Sequence, residues 1–394
     1  MKRIGLLPRI LIAIALGLLL GKLMPLQCAR VFATFNALFA QFLSFIIPLI
    51  IIGLVTPAIG DIGKNAGKML VVTVAIAYLD TLLAGTLAYG TGVVAFPKMI
   101  TSAMKGGAAG GSGEIAPFFT VNIPAMCDVM SALVFAFLVG LGIAYGKKAD
   151  TLKNAASEFR DLVEKAIAKA IIPLLPVYIF GIFLAMTANG SAFRMLIAFA
   201  RVIVVIFVLH IVILIYEFVI AGALARRNPV KLLWTMLPAY MTALGTSSSA
   251  ATIPVTLAQT KKNGVPDEIA GFTVPLCATI HLSGSMMKIT ACALAICMIE
   301  GIPYGTASFM KFIALLGIMM VAAPGVPGGA IMAALAPLGK VLGFSAENQA
   351  LMIALYIAMD SFGTACNVTG DGAIAIAVQR IFGNENQPPD RRSQ

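Results

Sequence analysis

Charge is what this 394-residue sequence has least of. Asp, Glu, Lys and Arg make up 11% of it, against about 25% in soluble domains. Tryptophan occurs once and histidine twice. The six cysteines (Cys28, Cys127, Cys277, Cys292, Cys297 and Cys366) are scattered, mostly through apolar runs, with no CxxC pair. That pattern reads as buried thiols, not as a disulfide frame or a structural metal cluster. No Ser/His/Asp or metal-ligand spacing surrounds His210 or His281, so the chain lacks the means for enzyme chemistry. His210, with Glu217 two turns on, reads as structural. With 60% hydrophobic residues and a mean hydropathy of +0.96, one soluble core cannot absorb the apolar surface, since cores stop growing near roughly 250–300 residues. An ordinary cytosolic enzyme, a nucleic-acid-binding protein and a disordered chain are excluded. At about 20 residues per spanning helix, there is room for roughly eight to ten membrane segments.

The charges that do occur are unevenly placed. Lys and Arg outnumber Asp and Glu by 28 to 17, a net +11. The cations cluster beside apolar runs: Lys2, Arg3 and Arg9; Lys147, Lys148 and Lys153; Arg226, Arg227 and Lys231; Lys261 and Lys262; Arg391 and Arg392. This follows the rule that cytoplasmic loops are positive and places both termini in the cytoplasm. Apolar runs predict spans over 8–25, 35–59, 69–96, 127–145, 170–188 and 193–225. The first is read as a retained helix. Lys105 to Gly111 reads as flexible, and Lys147 to Lys169 as an interfacial helix.

From Asn228 onward the apolar stretches are interrupted. Gly245-Thr246-Ser247-Ser248-Ser249-Ala250-Ala251-Thr252-Ile253-Pro254 separates two half-length pieces, and Pro324-Gly325-Val326-Pro327-Gly328-Gly329 divides the run 309–338. Backbone freed at membrane depth must be satisfied by protein, water or ligand. Paired interruptions of this kind point to a transporter's binding site. Each reads as a re-entrant helical hairpin. Between them a helix over 269–299 carries Thr279-Ile280-His281-Leu282-Ser283-Gly284-Ser285, which predicts an unwound polar segment. A last helix over 351–381 places Asp360, Thr364, Asn367 and Asp371 at steps of 4, 3 and 4, on one face. Ionisable groups inside the membrane are candidate functional residues by default.

These motifs resemble the dicarboxylate/amino acid:cation symporter family, which includes glutamate transporters and neutral amino acid exchangers. The order of serine tip, broken helix, Pro-Gly tip and polar last helix carries the resemblance, and it covers essentially the whole chain. It implies an all-α polytopic membrane protein with eight transmembrane helices, two re-entrant hairpins and a glutamate-transporter-like elevator fold, assembled as a homotrimer in the plasma (inner) membrane. Residues 1–66 and 124–190 would form a scaffold, and 67–123 and 191–394 a transport domain. It implies that Asp360 meets a substrate ammonium. Asn367, Thr364 and the tip Ser247, Ser248 and Ser249 would meet the substrate's carboxylate side, with Gly363 lining the pocket and Val326, Pro327 and Gly328 closing over it. One Na⁺ would sit at Cys277, His281, Asn367 and Asp371, and a second on backbone near Thr279, Val321 and Ala323.

Three departures qualify the resemblance. Acidic-substrate members carry an Arg where this chain has Gly363, so only space is expected there and a neutral amino acid is the expected substrate. The usual Asn-Met-Asp-Gly-Thr of the broken helix is His281-Leu282-Ser283-Gly284-Ser285, which removes a carboxylate from a third cation site. Asp80, beside Tyr78 and Thr81, faces that altered site. It can rebuild the Na⁺ site, pair with His281 or Lys288 in place of an ion, or form a proton site with His281. A proton-coupled or exchange-type transporter of amino acids or carboxylates is the alternative on this scaffold. A channel is disfavoured, since Asp360 and Asn367 on one stripe suit a zwitterion.

Overall fold

The computed structural model describes residues 6–62, 68–100, 115–146, 149–188, 190, 192–321, 323 and 327–382. Lys105 to Gly111, Ala322 and the Pro324-to-Val326 part of the second tip lie outside them, so the expectation for Val326 has no structural counterpart. The described chain is helical: α1 (Leu6–Leu20), α2 (Leu26–Ile62), α3 (Lys68–Met99), α4 (Val129–Tyr145), α5 (Asp150–Ala166), α6 (Ile172–Ala188), α7 (Ala192–Ala225), α8 (Pro229–Thr235), α9 (Leu237–Thr246), α10 (Ser249–Lys262), α11 (Asp267–Ile280), α12 (Ser283–Glu300), α13 (Thr306–Val321), α14 (Gly329–Leu342), α15 (Ala346–Ala358) and α16 (Asp360–Phe382).

Among the described residues, five helical stretches are long and apolar enough to cross a membrane: Leu26–Pro57, Lys68–Met99, Asp150–Ala188, Leu196–Ala225 and Asp267–Glu300. The pair α15 and α16 qualifies as a sixth, bent by 63°. Helix α7 shows why the solvent is lipid. Val202, Ile206, Leu209 and Ile213 are buried, yet Val204, Val208, Ile211 and Ile215 on the other side are exposed and equally apolar. A helix hydrophobic all round belongs in a membrane or a deep core.

Local signals set the ends. Asn228 Oδ1 accepts the Val230 and Lys231 N–H groups at 2.9 and 3.3 Å, with Pro229 in the first turn of α8. Ser248 caps α10 by accepting the Ala251 N–H, and Ser345 caps α15 by accepting that of Asn348. The amphipathic α5 runs through a π-turn (Ile167–Ile171) straight into α6, and its Val163 packs at Gly53 of α2.

Helices α2, α4, α5 and α6 pack together, with α1 on α6. Elsewhere α12 and α16 are the innermost elements, surrounded by α3, α7, α9, α10, α11 and α15. The sequence expectation of one continuous helix over 351–381 is corrected. The chain breaks at Met359, where no Gly or Pro marks it, and side chains from other elements stabilise the break.

Small residues let backbones approach closely, as is general in membranes. A Cβ at Gly140 of α4 would lie 2.7 Å from Ile59 Cβ and 2.9 Å from Thr56 O. One at Gly142 would meet nothing within 4 Å. Gly140→Leu should therefore lower the thermal unfolding midpoint in detergent, overpacking costing about 1–3 kcal/mol, while Gly142→Leu leaves it near that of the parent.

Candidate functional site

Three breaks in the chain meet at the first turn of α16. From one side comes the tip between α9 and α10. Ser247 sits in the left-handed region at φ 50° and its Oγ lies 2.7 Å from Ser361 Oγ. From the other side comes the tip before α14. Gly328, at φ +78°, donates its N–H to Asp360 Oδ2 at 2.8 Å. The third is the bend at Met359 itself. Asp360 is 5% exposed and stands at the N-terminus of its own helix, where an anion is favoured. Its other oxygen, Oδ1, is 3.1 Å from Lys288 Nζ of α12. Lys288 Nζ also approaches Met359 O at 3.4 Å, a carbonyl at the break. Thr364 is buried one turn further along α16.

A second constellation lies deeper, at the α11–α12 break, where His281 is extended. Neighbouring side chains take up the freed backbone. Leu282 N–H donates to Thr81 Oγ1 at 3.3 Å. Gly284 and Ser285 N–H groups both donate to Asn367 Oδ1, at 2.9 and 3.3 Å. His210 Nε2 lies 3.1 Å from Gly284 O. A Cβ at Gly284 would lie 2.7 Å from both Cys366 Cβ and Gly363 O, so only glycine allows α12 this close to α16.

The His281 ring bridges two carboxylates, Nε2 at 2.8 Å from Asp80 Oδ2 and Nδ1 at 3.0 Å from Asp371 Oδ1. Glu217 Oε1 is 3.9 Å from Nε2 and accepts from Ser283 Oγ at 3.0 Å. Tyr216 donates its hydroxyl to Asp80 Oδ1 at 2.8 Å. Two hydrogen bonds from one imidazole to two carboxyl groups require two protons among the three. Even with His281 cationic, three ionised carboxylates would leave the cluster negative. Glu217 Oε2 and Asp371 Oδ2 are buried without a hydrogen-bond partner, so the cluster has acceptor capacity for a cation or further protons.

With this geometry in view, the family comparison is decisive: the model of the sodium:dicarboxylate symporter family matches residues 6–381. The chain belongs to that family. It is therefore a multi-pass membrane transporter and not an enzyme. Curated relatives include the serine/threonine transporter SstT of Acinetobacter baumannii strains AYE, AB307-0294 and AB0057. Each is 27% identical over 95% of this chain and 96% of the relative.

The family stripe on α16 is buried along its length, with Asp360, Thr364, Asn367 and Asp371 at 5, 5, 2 and 1% exposure. Asn367 is engaged at both ends, since its Nδ2 also donates to Ser285 Oγ at 3.1 Å. Cys277 is buried, and its backbone oxygen accepts the His281 N–H at 2.9 Å. Of the residues expected to hold a second cation through their backbone, Thr279 Oγ1 donates to Leu276 O, Val321 ends α13, and Ala323 N–H donates to Met320 O.

Three expectations change. Tyr78 is not part of the cluster. Its hydroxyl donates to Ala314 O, and Tyr216 supplies the phenol at Asp80. Lys288 pairs with Asp360, not Asp80. Gly363 does not leave empty space, because a Cβ there would lie 2.6 Å from Lys288 Nζ. Sequence reasoning also missed Glu217. The signal was present, a carboxylate in an apolar run, but in-helix spacing tied it to His210 when packing turns it toward His281.

Removing the imidazole leaves Asp80 and Asp371 facing one another. His281→Ala should destabilise the protein by about 3–5 kcal/mol, the usual effect of breaking a buried pair, read as a fall in thermal unfolding midpoint. Adding Asp80→Asn should recover part of it. A single variant as stable as the parent would show that His281 does not hold these carboxylates.

Proposed function

We propose that this protein is a secondary active transporter that couples the inward gradient of a cation, Na⁺, to symport of a neutral amino acid. The observation that carries the reading is Asp360. It is a buried carboxylate at the meeting point of two chain tips, in reach of a ligand held between them, and a counter-ion for an ammonium group. The substrate carboxylate lies against the N-terminus of α10 at Ser248 and Ser249, where the start of a helix suits an anion. Thr364 adds a hydroxyl. Asn367 joins once it releases Ser285 Oγ. Pro327 and Gly328, with Val326, close the site.

Two facts favour a neutral substrate. Gly363 stands where acidic-substrate members carry Arg, and the Asp360–Lys288 pair is itself neutral, so a zwitterion leaves the site's charge unchanged. The name of the SstT relatives, a serine/threonine transporter, is in line with this. Asp371, with an unpartnered oxygen, is the anchor for one Na⁺ beside Cys277, His281 and Asn367. The second uses backbone near Thr279, Val321 and Ala323. His281 takes the place of a third ion among Asp80, Thr81 and Ser283.

The architecture proposed with this function is the family's own. Eight spans and two re-entrant hairpins (α9–α10 and α13–α14) form an elevator in a homotrimer, with both termini cytoplasmic. Residues 1–66 and 124–190 are the scaffold, and 67–123 and 191–394 the moving part. The apolar α1 and α4 add to the six candidate spans, and α9 with α10, like α13 with α14, pack as pairs, which supports that count.

The test is uptake of radiolabelled L-serine and L-alanine into proteoliposomes under separate Na⁺ and H⁺ gradients. An inward Na⁺ gradient should drive accumulation. Accumulation driven by H⁺ alone would move the coupling to the His281 cluster, and none under either gradient would defeat the proposal. Asp360→Asn should weaken substrate binding by about 2–5 kcal/mol, at least ~30-fold, measured on protein recovered folded by size exclusion. Gly363→Arg should abolish neutral uptake, since any side chain there meets Lys288.

A further inference from the structure

Lys288 is fully buried in α12, a costly place for an ammonium. Its surroundings are built for it. Nζ is 3.1 Å from Asp360 Oδ1, 3.4 Å from Met359 O and 3.6 Å from the centroid of the Tyr356 ring, a cation–π distance. The absent side chain of Gly363 provides its room, as a Cβ there would lie 2.6 Å from Nζ. Among the described residues, Asp360 is the one carboxylate within ion-pair distance of it. Asp360 in turn holds the second tip through the Gly328 N–H.

A substrate ammonium and the Lys288 ammonium thus need the same carboxylate. A transporter that performs net uptake must return its unloaded site across the membrane. A bare buried carboxylate at that site would oppose the return. From this arrangement we infer that Lys288 is a tethered stand-in for the substrate's ammonium. It neutralises Asp360 when the site is empty, yields Asp360 when the amino acid binds, and so lets the closed, empty site cross. Its four-carbon stem gives the reach for this. Lys288 therefore decides whether the protein carries out net transport or only exchange. The inference rests on the reading of Asp360 as the substrate's counter-ion.

Reconstituted full-length protein separates the two modes. Net uptake of radiolabelled L-serine or L-alanine is measured into liposomes containing no amino acid. Exchange is measured into liposomes preloaded with the same unlabelled amino acid. In the unaltered protein both occur. In Lys288→Met the ratio of net uptake to exchange should fall at least tenfold, and Lys288→Arg, which keeps the charge, should restore much of it. Should the Met variant not be recovered as folded protein by size exclusion, Lys288→Gln asks the same question. An unchanged ratio in the neutral variant, or loss of both rates in proportion from a folded protein, would overturn the inference. So would an unaltered protein that only exchanges. If the unaltered protein takes up neither amino acid in either mode, the reading of the substrate fails and the inference falls with it.

Discussion

An ionised side chain at membrane depth has no bulk water around it, so its partner must come from the protein or from something the protein carries. Most of the inner architecture here follows from that constraint. Asp360 draws together Lys288 of α12, the Gly328 tip and the first turn of α16. His281 draws together Asp80 of α3 and Asp371 of α16, with Glu217 of α7 close by. Each charge joins elements far apart in the chain, and each sits at or beside a break in a helix. At Asp360 charge and backbone satisfy one another directly, through the Gly328 N–H and the Met359 carbonyl, whereas at His281 the polar side chains of Thr81, Asn367 and His210 take up the freed backbone.

The two constellations differ in make-up. The one at Asp360 is where the two tips meet, the Gly328 N–H and the Lys288 ammonium each taking one of its oxygens. The one at His281 is enclosed and carboxylate-rich, with unpartnered oxygens on Glu217 and Asp371. Asn367 stands between them, capping α12 with its carbonyl and bonding Ser285 with its amide. A shift of α12 at the His281 constellation is thus felt at the Asp360 constellation through one side chain. Under the proposed function, that side chain is the physical route by which ion and substrate binding are coupled.

Much of this was legible in the chain. The broken helix at His281, the serine tip and the polar stripe on α16 stand out because small or helix-breaking residues, or polar residues at helical spacing, interrupt apolar runs. What could not be read was which faces meet. Lys288 and Asp360 are 72 residues apart, and Asp80 and His281 are 201 apart. Spacing along one helix tied Glu217 to His210, though packing turned it elsewhere. The bend at Met359 carries no Gly or Pro to announce it, and the ammonium that meets its carbonyl and Asp360 comes from α12. The filling of the Gly363 space by Lys288 was invisible for the same reason.

The central claim is that Asp360 exchanges one ammonium partner for another. Cryo-electron microscopy of the protein, substrate-free and saturated with L-serine or L-alanine, tests it most directly. The account predicts Lys288 Nζ within about 3 Å of Asp360, a charge-assisted contact, in the empty protein. In the loaded protein the substrate ammonium should hold that oxygen, with Lys288 withdrawn. An amino acid bound between the tips with the Lys288–Asp360 contact intact, or with its ammonium on another group, would contradict it.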